Sequence, residues 1–130
     1  MKISLYWGVG VVLALHGLIH LLGFASYLKL ATVPTLPYTT TVLGGRLDLG
    51  TAGMSVFGLA WGLAALGFVL AGAAFLLGWT WWRPVLIAVT LLSLLITVIA
   101  YGPATAGIVV NLVILACLFL IPRPSAFPAS

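Results

Sequence analysis

Apolar residues run along the chain in four long blocks, about Ile3–Leu28, Leu49–Leu77, Pro84–Tyr101 and Ala104–Leu120, separated by short segments rich in polar residues, Gly and Pro. At ~1.5 Å of rise per residue, roughly 20 apolar residues cross ~30 Å of hydrocarbon. The pattern therefore predicts an all-α fold, a transmembrane four-helix bundle formed by residues 1–121 as one domain. The second block is long enough to tilt, and the third and fourth lie near the lower length limit.

The punctuation between the blocks is equally informative. Residues 29–48 form the one sizeable loop, where Pro34, Pro37, Thr39-Thr40-Thr41 and Gly44-Gly45 argue against a helix, and no strand is expected in the chain. This loop is expected to lie over the mouth of the bundle. Trp79-Thr80-Trp81-Trp82-Arg83-Pro84 joins interfacial aromatics, a charge and a helix-starting proline into a turn at headgroup depth. Gly102-Pro103 makes the third connection, Pro122-Arg123-Pro124 stops the last helix, and residues 122–130 are expected to form a mobile tail.

Composition turns this pattern into a solvent assignment. Of 130 residues, 64% are hydrophobic and 5% charged, against roughly 25% charged in a soluble domain, so the outer surface must face membrane lipid. The net charge of +4 comes from Lys2, Lys29, Arg46, Arg83 and Arg123, scattered singly between apolar runs. That arrangement fits membrane flanks and not nucleic acid. Cys117, the sole cysteine, has no partner for an intrachain disulfide. The first block is too long for a secretory leader and lacks a small-residue cleavage site, so it reads as a retained helix.

Four crossings put both termini on one side. Lys2, Arg83 and Arg123 on that side outnumber Lys29 and Arg46 on the other, which places both termini in the cytoplasm. Small residues at spacings of three and four, Gly58, Gly62, Ala65, Val69 and Gly72 on the second helix and Gly10, Ala14 and Gly17 on the first, predict close helix packing, within the chain or in a homo-oligomer or larger membrane complex.

Function should be sought among the few polar side chains at bilayer depth, which are costly there and usually face the bundle interior. His16 and His20 share a face of the first helix, continued by Gly23 and Tyr27. Thr90, Ser93, Thr97 and Tyr101 make a hydroxyl stripe on the third helix, and the fourth contributes Asn111. Measured from the loop side, His20, Ser55, Thr97 and Asn111 lie one to two turns in, His16 and Ser93 a turn deeper, and Asp48 at the rim. A polar pocket under the loop follows, with His16, His20, Asn111, Ser93, Thr97 and Asp48 as candidate ligand-binding residues.

Several chemistries compete for such a pocket. It fits an amphiphile such as a lipid or quinone. His16 and His20 could ligate a metal, although Asp48 is the sole carboxylate side chain to join them. Two histidines on one face cannot take both axial positions of one haem, which leaves two haems, or one with a single axial His, as the haem readings. A proton relay lacks acidic groups to continue through the far half, and Ser93, His16 and Asp48 carry no catalytic motif around them. The remaining reading is that the histidines hydrogen-bond Ser, Thr and Asn to fix helix register. No cofactor is identified by these residues.

The segment His16-Gly17-Leu18-Ile19-His20-Leu21-Leu22-Gly23-Phe24 resembles the first helix of a family of uncharacterised small bacterial four-span membrane proteins with an H-x-x-I-H-x-x-G-F pattern, a proline-containing loop and a Trp-rich turn. The resemblance implies a multi-pass protein of the bacterial inner membrane and adds no reaction. The expected role is structural, accessory or amphiphile-binding; the alternative is a transporter or metal-handling protein working through His16 and His20.

Overall fold

Backbone groups inside hydrocarbon must be satisfied within their own segment, so uninterrupted apolar blocks become helices. The structure, a computed structural model, describes residues 3–120 and contains α1 (Ile3–Tyr27), α2 (Gly50–Leu76), α3 (Trp82–Ile99) and α4 (Thr105–Leu120). The first three are each long and apolar enough to cross a membrane; α4 is a shorter apolar helix. The expected stop at Pro122-Arg123-Pro124 and the tail at 122–130 lie outside the described residues.

Helix ends follow local chemistry. Gly78, at φ 71°, turns the chain after α2, with Trp79 N–H donating to the Ala74 carbonyl at 2.9 Å and Gly78 N–H to that of Phe75 at 3.2 Å. This is the C-terminal motif that a left-handed glycine favours. After α1 the same conformation falls on Lys29, at φ 57°, with Leu30 N–H donating to the Ala25 carbonyl at 2.7 Å. The lysine ammonium then lies over the Tyr38 ring, 4.6 Å from its centroid, which ties the departing loop to the helix end. Pro84 sits in the first turn of α3, where a missing N–H costs nothing.

Each helix packs closely against the next in the chain. Along α1 and α2 the two small-residue faces meet each other. A Cβ on Gly17 would fall 2.7 Å from Phe68 Cβ and 2.9 Å from the Ala65 carbonyl, and one on Gly72 would fall 3.2 Å from the Gly10 carbonyl. Backbone approach of this kind replaces the hydrophobic drive that lipid withholds. At the end away from the loop, the Tyr6 hydroxyl donates to the Phe75 carbonyl and Arg83 to that of Leu118.

The loop departs from expectation in one respect, because it does contain strands. β1 (Thr41–Val42) pairs antiparallel with β2 (Leu47–Asp48), Thr41 opposite Asp48 and Val42 opposite Leu47. Leu43, Gly44 and Gly45 all take positive φ and reverse the chain between them. Two anchors hold the loop down: Ser26 Oγ donates to the Leu36 carbonyl at 2.6 Å, and Leu43 N–H donates to the Ile99 carbonyl at 2.9 Å.

Candidate functional site

Four of the side chains expected in a polar pocket form one hydrogen-bonded ring. His16 Nε2 lies 3.1 Å from Asn111 Oδ1, Asn111 Nδ2 2.8 Å from Ser93 Oγ, Ser93 Oγ 2.6 Å from His20 Nε2, and His20 Nδ1 2.8 Å from the His16 carbonyl. All four residues are buried, Ser93 and Asn111 completely.

Partner chemistry fixes the proton positions. The His16 carbonyl only accepts, so His20 Nδ1 carries the proton and, in the neutral ring, Nε2 accepts from the Ser93 hydroxyl. Ser93 in turn accepts from the Asn111 amide, which leaves Asn111 Oδ1 to accept from His16 Nε2–H. Donation runs one way round: His16 to Asn111, Asn111 to Ser93, Ser93 to His20, His20 to the His16 backbone. Turning the Asn111 amide over would set its oxygen against Ser93 and demand a second proton on His20. In the neutral form of each imidazole the proton is thus on Nε2 in His16 and on Nδ1 in His20.

The neighbouring helices enforce this arrangement. Thr97 Oγ1 donates to the Ser93 carbonyl at 2.8 Å and lies 3.4 Å from Asn111 Nδ2, and Thr90 returns its hydroxyl to the Leu86 carbonyl at 2.6 Å. Phe68 and Trp61 of α2 cover the imidazoles, with ring centroids 4.7 Å from His16 to Phe68 and 5.3 Å from His20 to Trp61. Gly23 makes room for that indole, since a Cβ there would fall 2.2 Å from Trp61 Cδ2.

Beside the ring is a cavity of about 210 Å³, lined by His16, Ile19, His20 and Leu22 of α1, Trp61 of α2, Thr97 of α3, Pro103 and Ala104 just before α4, Ala106, Gly107 and Val110 within it, and Thr35 and Leu36 of the loop. His16, His20, Leu36, Trp61, Thr97 and Ala104 of its lining are buried, whereas Ile19 and Leu22 on one side, Ala106 and Val110 on the other, and Thr35 and Pro103 at the loop end are exposed. The cavity thus opens along the gap between α1 and α4, whose rim is apolar, and its loop end is exposed too.

Not every candidate reaches this place. Asp48 is exposed on β2, where its Oδ1 accepts from Gly50 N–H at 2.9 Å, and it neither joins the ring nor lines the cavity. Ser55 is exposed and donates to the Thr51 carbonyl. It lies beyond the end of α1, because Leu28 and Tyr27 already pack at Gly58. Tyr101, just past α3, is also exposed. His20 meets Ser93 and His16 meets Asn111, so the expected depths pair differently: in each bond a deeper residue meets a shallower one.

Sequence reasoning missed Ser26, Leu36 and Trp61. Trp61 had a signal: it sits eleven residues into α2, about 17 Å from its start, whereas membrane tryptophans concentrate at interfaces. Ser26 lies three residues after Gly23 and so close to the His16/His20 face.

Comparison with known proteins gives no match: no family model, curated protein or solved structure matches the chain. The functional reading rests on the geometry of the site.

Proposed function

We propose that this chain is a noncatalytic multi-pass protein of the bacterial inner membrane that crosses the bilayer four times, with both termini in the cytoplasm, and holds the head of an amphiphile under its first loop. The observation that carries this reading is the juxtaposition of a closed hydrogen-bond ring with a cavity that opens between α1 and α4. The ring leaves its members little free hydrogen-bonding capacity, so its work is to fix where the walls stand. The cavity does the binding. At about 210 Å³ it is smaller than the ~300–1,000 Å³ of sites that enclose a whole drug-sized molecule. It accommodates a head or a single ring while the tail stays in lipid between α1 and α4.

The second reading, metal handling or transport through His16 and His20, draws on the same two residues. Both nitrogens of His20 are engaged, so ligating an ion there requires breaking the ring. Thr90, the buried hydroxyl nearest the Trp-rich end of α3, is bonded to its own helix and extends no polar path.

Extraction of the purified protein, with mass spectrometry of the organic phase and elemental analysis of the aqueous one, separates the readings. A stoichiometric uncharged amphiphile is expected. A stoichiometric metal that disappears in His20→Leu would favour the second reading, and an empty protein would contradict both.

A further inference from the structure

Widening the gap between α1 and α4 has to move α4, because the other helices that wall the cavity are locked to one another. α1 lies against α2 through Gly17 and Gly72, and Ser26 ties its end to the loop. α3 approaches α2 closely at Gly67, where an added Cβ would fall 2.5 Å from Val89 Cγ2. α4 is held differently. Two of its 16 residues are buried, Asn111 and Leu118, against ten of the 27 of α2, and it packs closely on α3 but not on α1 or α2.

The ties from α4 to α3 are spread over its length. The Gly102-Pro103 turn, with Gly102 at φ 99°, joins the two helices at the cavity end, and a Cβ on Gly107 would fall 2.9 Å from Thr97 Cγ2. Midway, Asn111 Nδ2 donates to Ser93 Oγ at 2.8 Å, and at the far end Arg83 donates to the Leu118 carbonyl. Across the gap, among the described residues, one hydrogen bond reaches α1, from His16 Nε2 to Asn111 Oδ1 at 3.1 Å. Breaking it leaves the other bonds of the ring whole, since His20 donates to the backbone carbonyl of His16 and Asn111 keeps Ser93. A single side-chain hydrogen bond between membrane helices shifts a two-state equilibrium by about threefold on average, so thermal motion suffices to release it.

We infer that α4 is the moving wall of the cavity: it pivots on α3, and the His16–Asn111 bond is the latch whose release widens the α1/α4 gap and admits the ligand. At rest the latch sets the width of the gap. Ala106, Gly107 and Val110 move with α4, while Ile19 and Leu22 stay with α1, so the apolar rim parts along its length. The inference rests on the amphiphile-binding reading for its purpose and goes further by naming the part that moves. The movement itself is tested without a ligand, so either can fail alone.

The test is electron paramagnetic resonance of spin-label pairs on the full chain in lipid nanodiscs, with Cys117→Ser as background. Labels go on exposed positions outside the cavity lining: Leu15→Cys with Val113→Cys across the gap, Leu91→Cys with Val113→Cys across the α3–α4 contact, and Leu15→Cys with Leu70→Cys across the seam. His16→Phe keeps a ring beside Phe68, removes the latch and leaves the His16 carbonyl in place. It should raise the longer-distance population across the gap about threefold or more, with the other two distributions unchanged. A gap distribution that does not lengthen overturns the latch, and entry then falls to the exposed loop end. An α3–α4 distribution that lengthens as much as the gap's overturns the pivot. Should His16→Phe not fold, the unaltered chain decides: its gap pair must show a minor longer component that the seam pair lacks, and equally narrow distributions overturn the inference.

Discussion

The seam between α1 and α2 and the gap between α1 and α4 use the same face-to-face logic with opposite results. Along the seam, Gly17 and Gly72 let backbones approach until a single added carbon would collide with Phe68 Cβ or crowd the Gly10 carbonyl. Across the gap, α1 and α4 are held apart, and His16 reaches Asn111 through a side-chain hydrogen bond. Lipid provides no hydrophobic drive for either contact, so close packing closes the first and directed polar bonds hold the second at a fixed opening. A helix pair joined by a hydrogen bond above an apolar rim can keep a cavity that packing alone would close. The difference teaches where binding belongs in such a bundle.

The comparison can be broken first at the seam. Gly17→Val should lower the melting temperature in mild detergent most, because the backbone of α2 cannot yield; overpacking costs about 1–3 kcal/mol. A melting temperature equal to the unaltered chain's would show that the seam is not tight. The ring comes next. His20→Leu strands the Ser93 hydroxyl and should cost about 1 kcal/mol, read as a smaller thermal shift together with loss of bound amphiphile. Retention of both would remove the ring from the account. Ser26→Ala should have the smallest effect on melting, within about 1 kcal/mol, yet speed amide hydrogen exchange at Leu36, whose N–H bonds to the Val33 carbonyl in the anchored loop. Unchanged exchange would mean that the loop is held by other contacts.

How much of this was legible in the sequence differs by scale. Hydropathy located all four helices to within two residues of their observed ends, since hydrocarbon permits little else for long apolar blocks. Helical spacing also grouped His16 with His20, and Ser93 with Thr97, and antiparallel depth brought Asn111 near them. Those residues converge because each lies on the one face its helix turns inward. Asp48 could not be placed this way: its position depends on a hairpin made by consecutive positive-φ residues, beyond reach of helical periodicity. Ser55 shared the depth assigned to His20 but lies on an exposed face of α2, one turn before the Gly58 contact with the end of α1. The direction of the hydrogen-bond ring required coordinates. Donor and acceptor roles are set by partners from three helices.

Native mass spectrometry of the unaltered chain beside Ala106→Phe tests the central claim most directly. The added ring stands at the exposed rim of the gap, remote from the seam, and should leave the melting temperature within about 0.5 kcal/mol of stability. The account predicts one uncharged amphiphile per unaltered chain and none on the variant. Equal occupancy of both, or an unaltered chain that carries nothing, would contradict it.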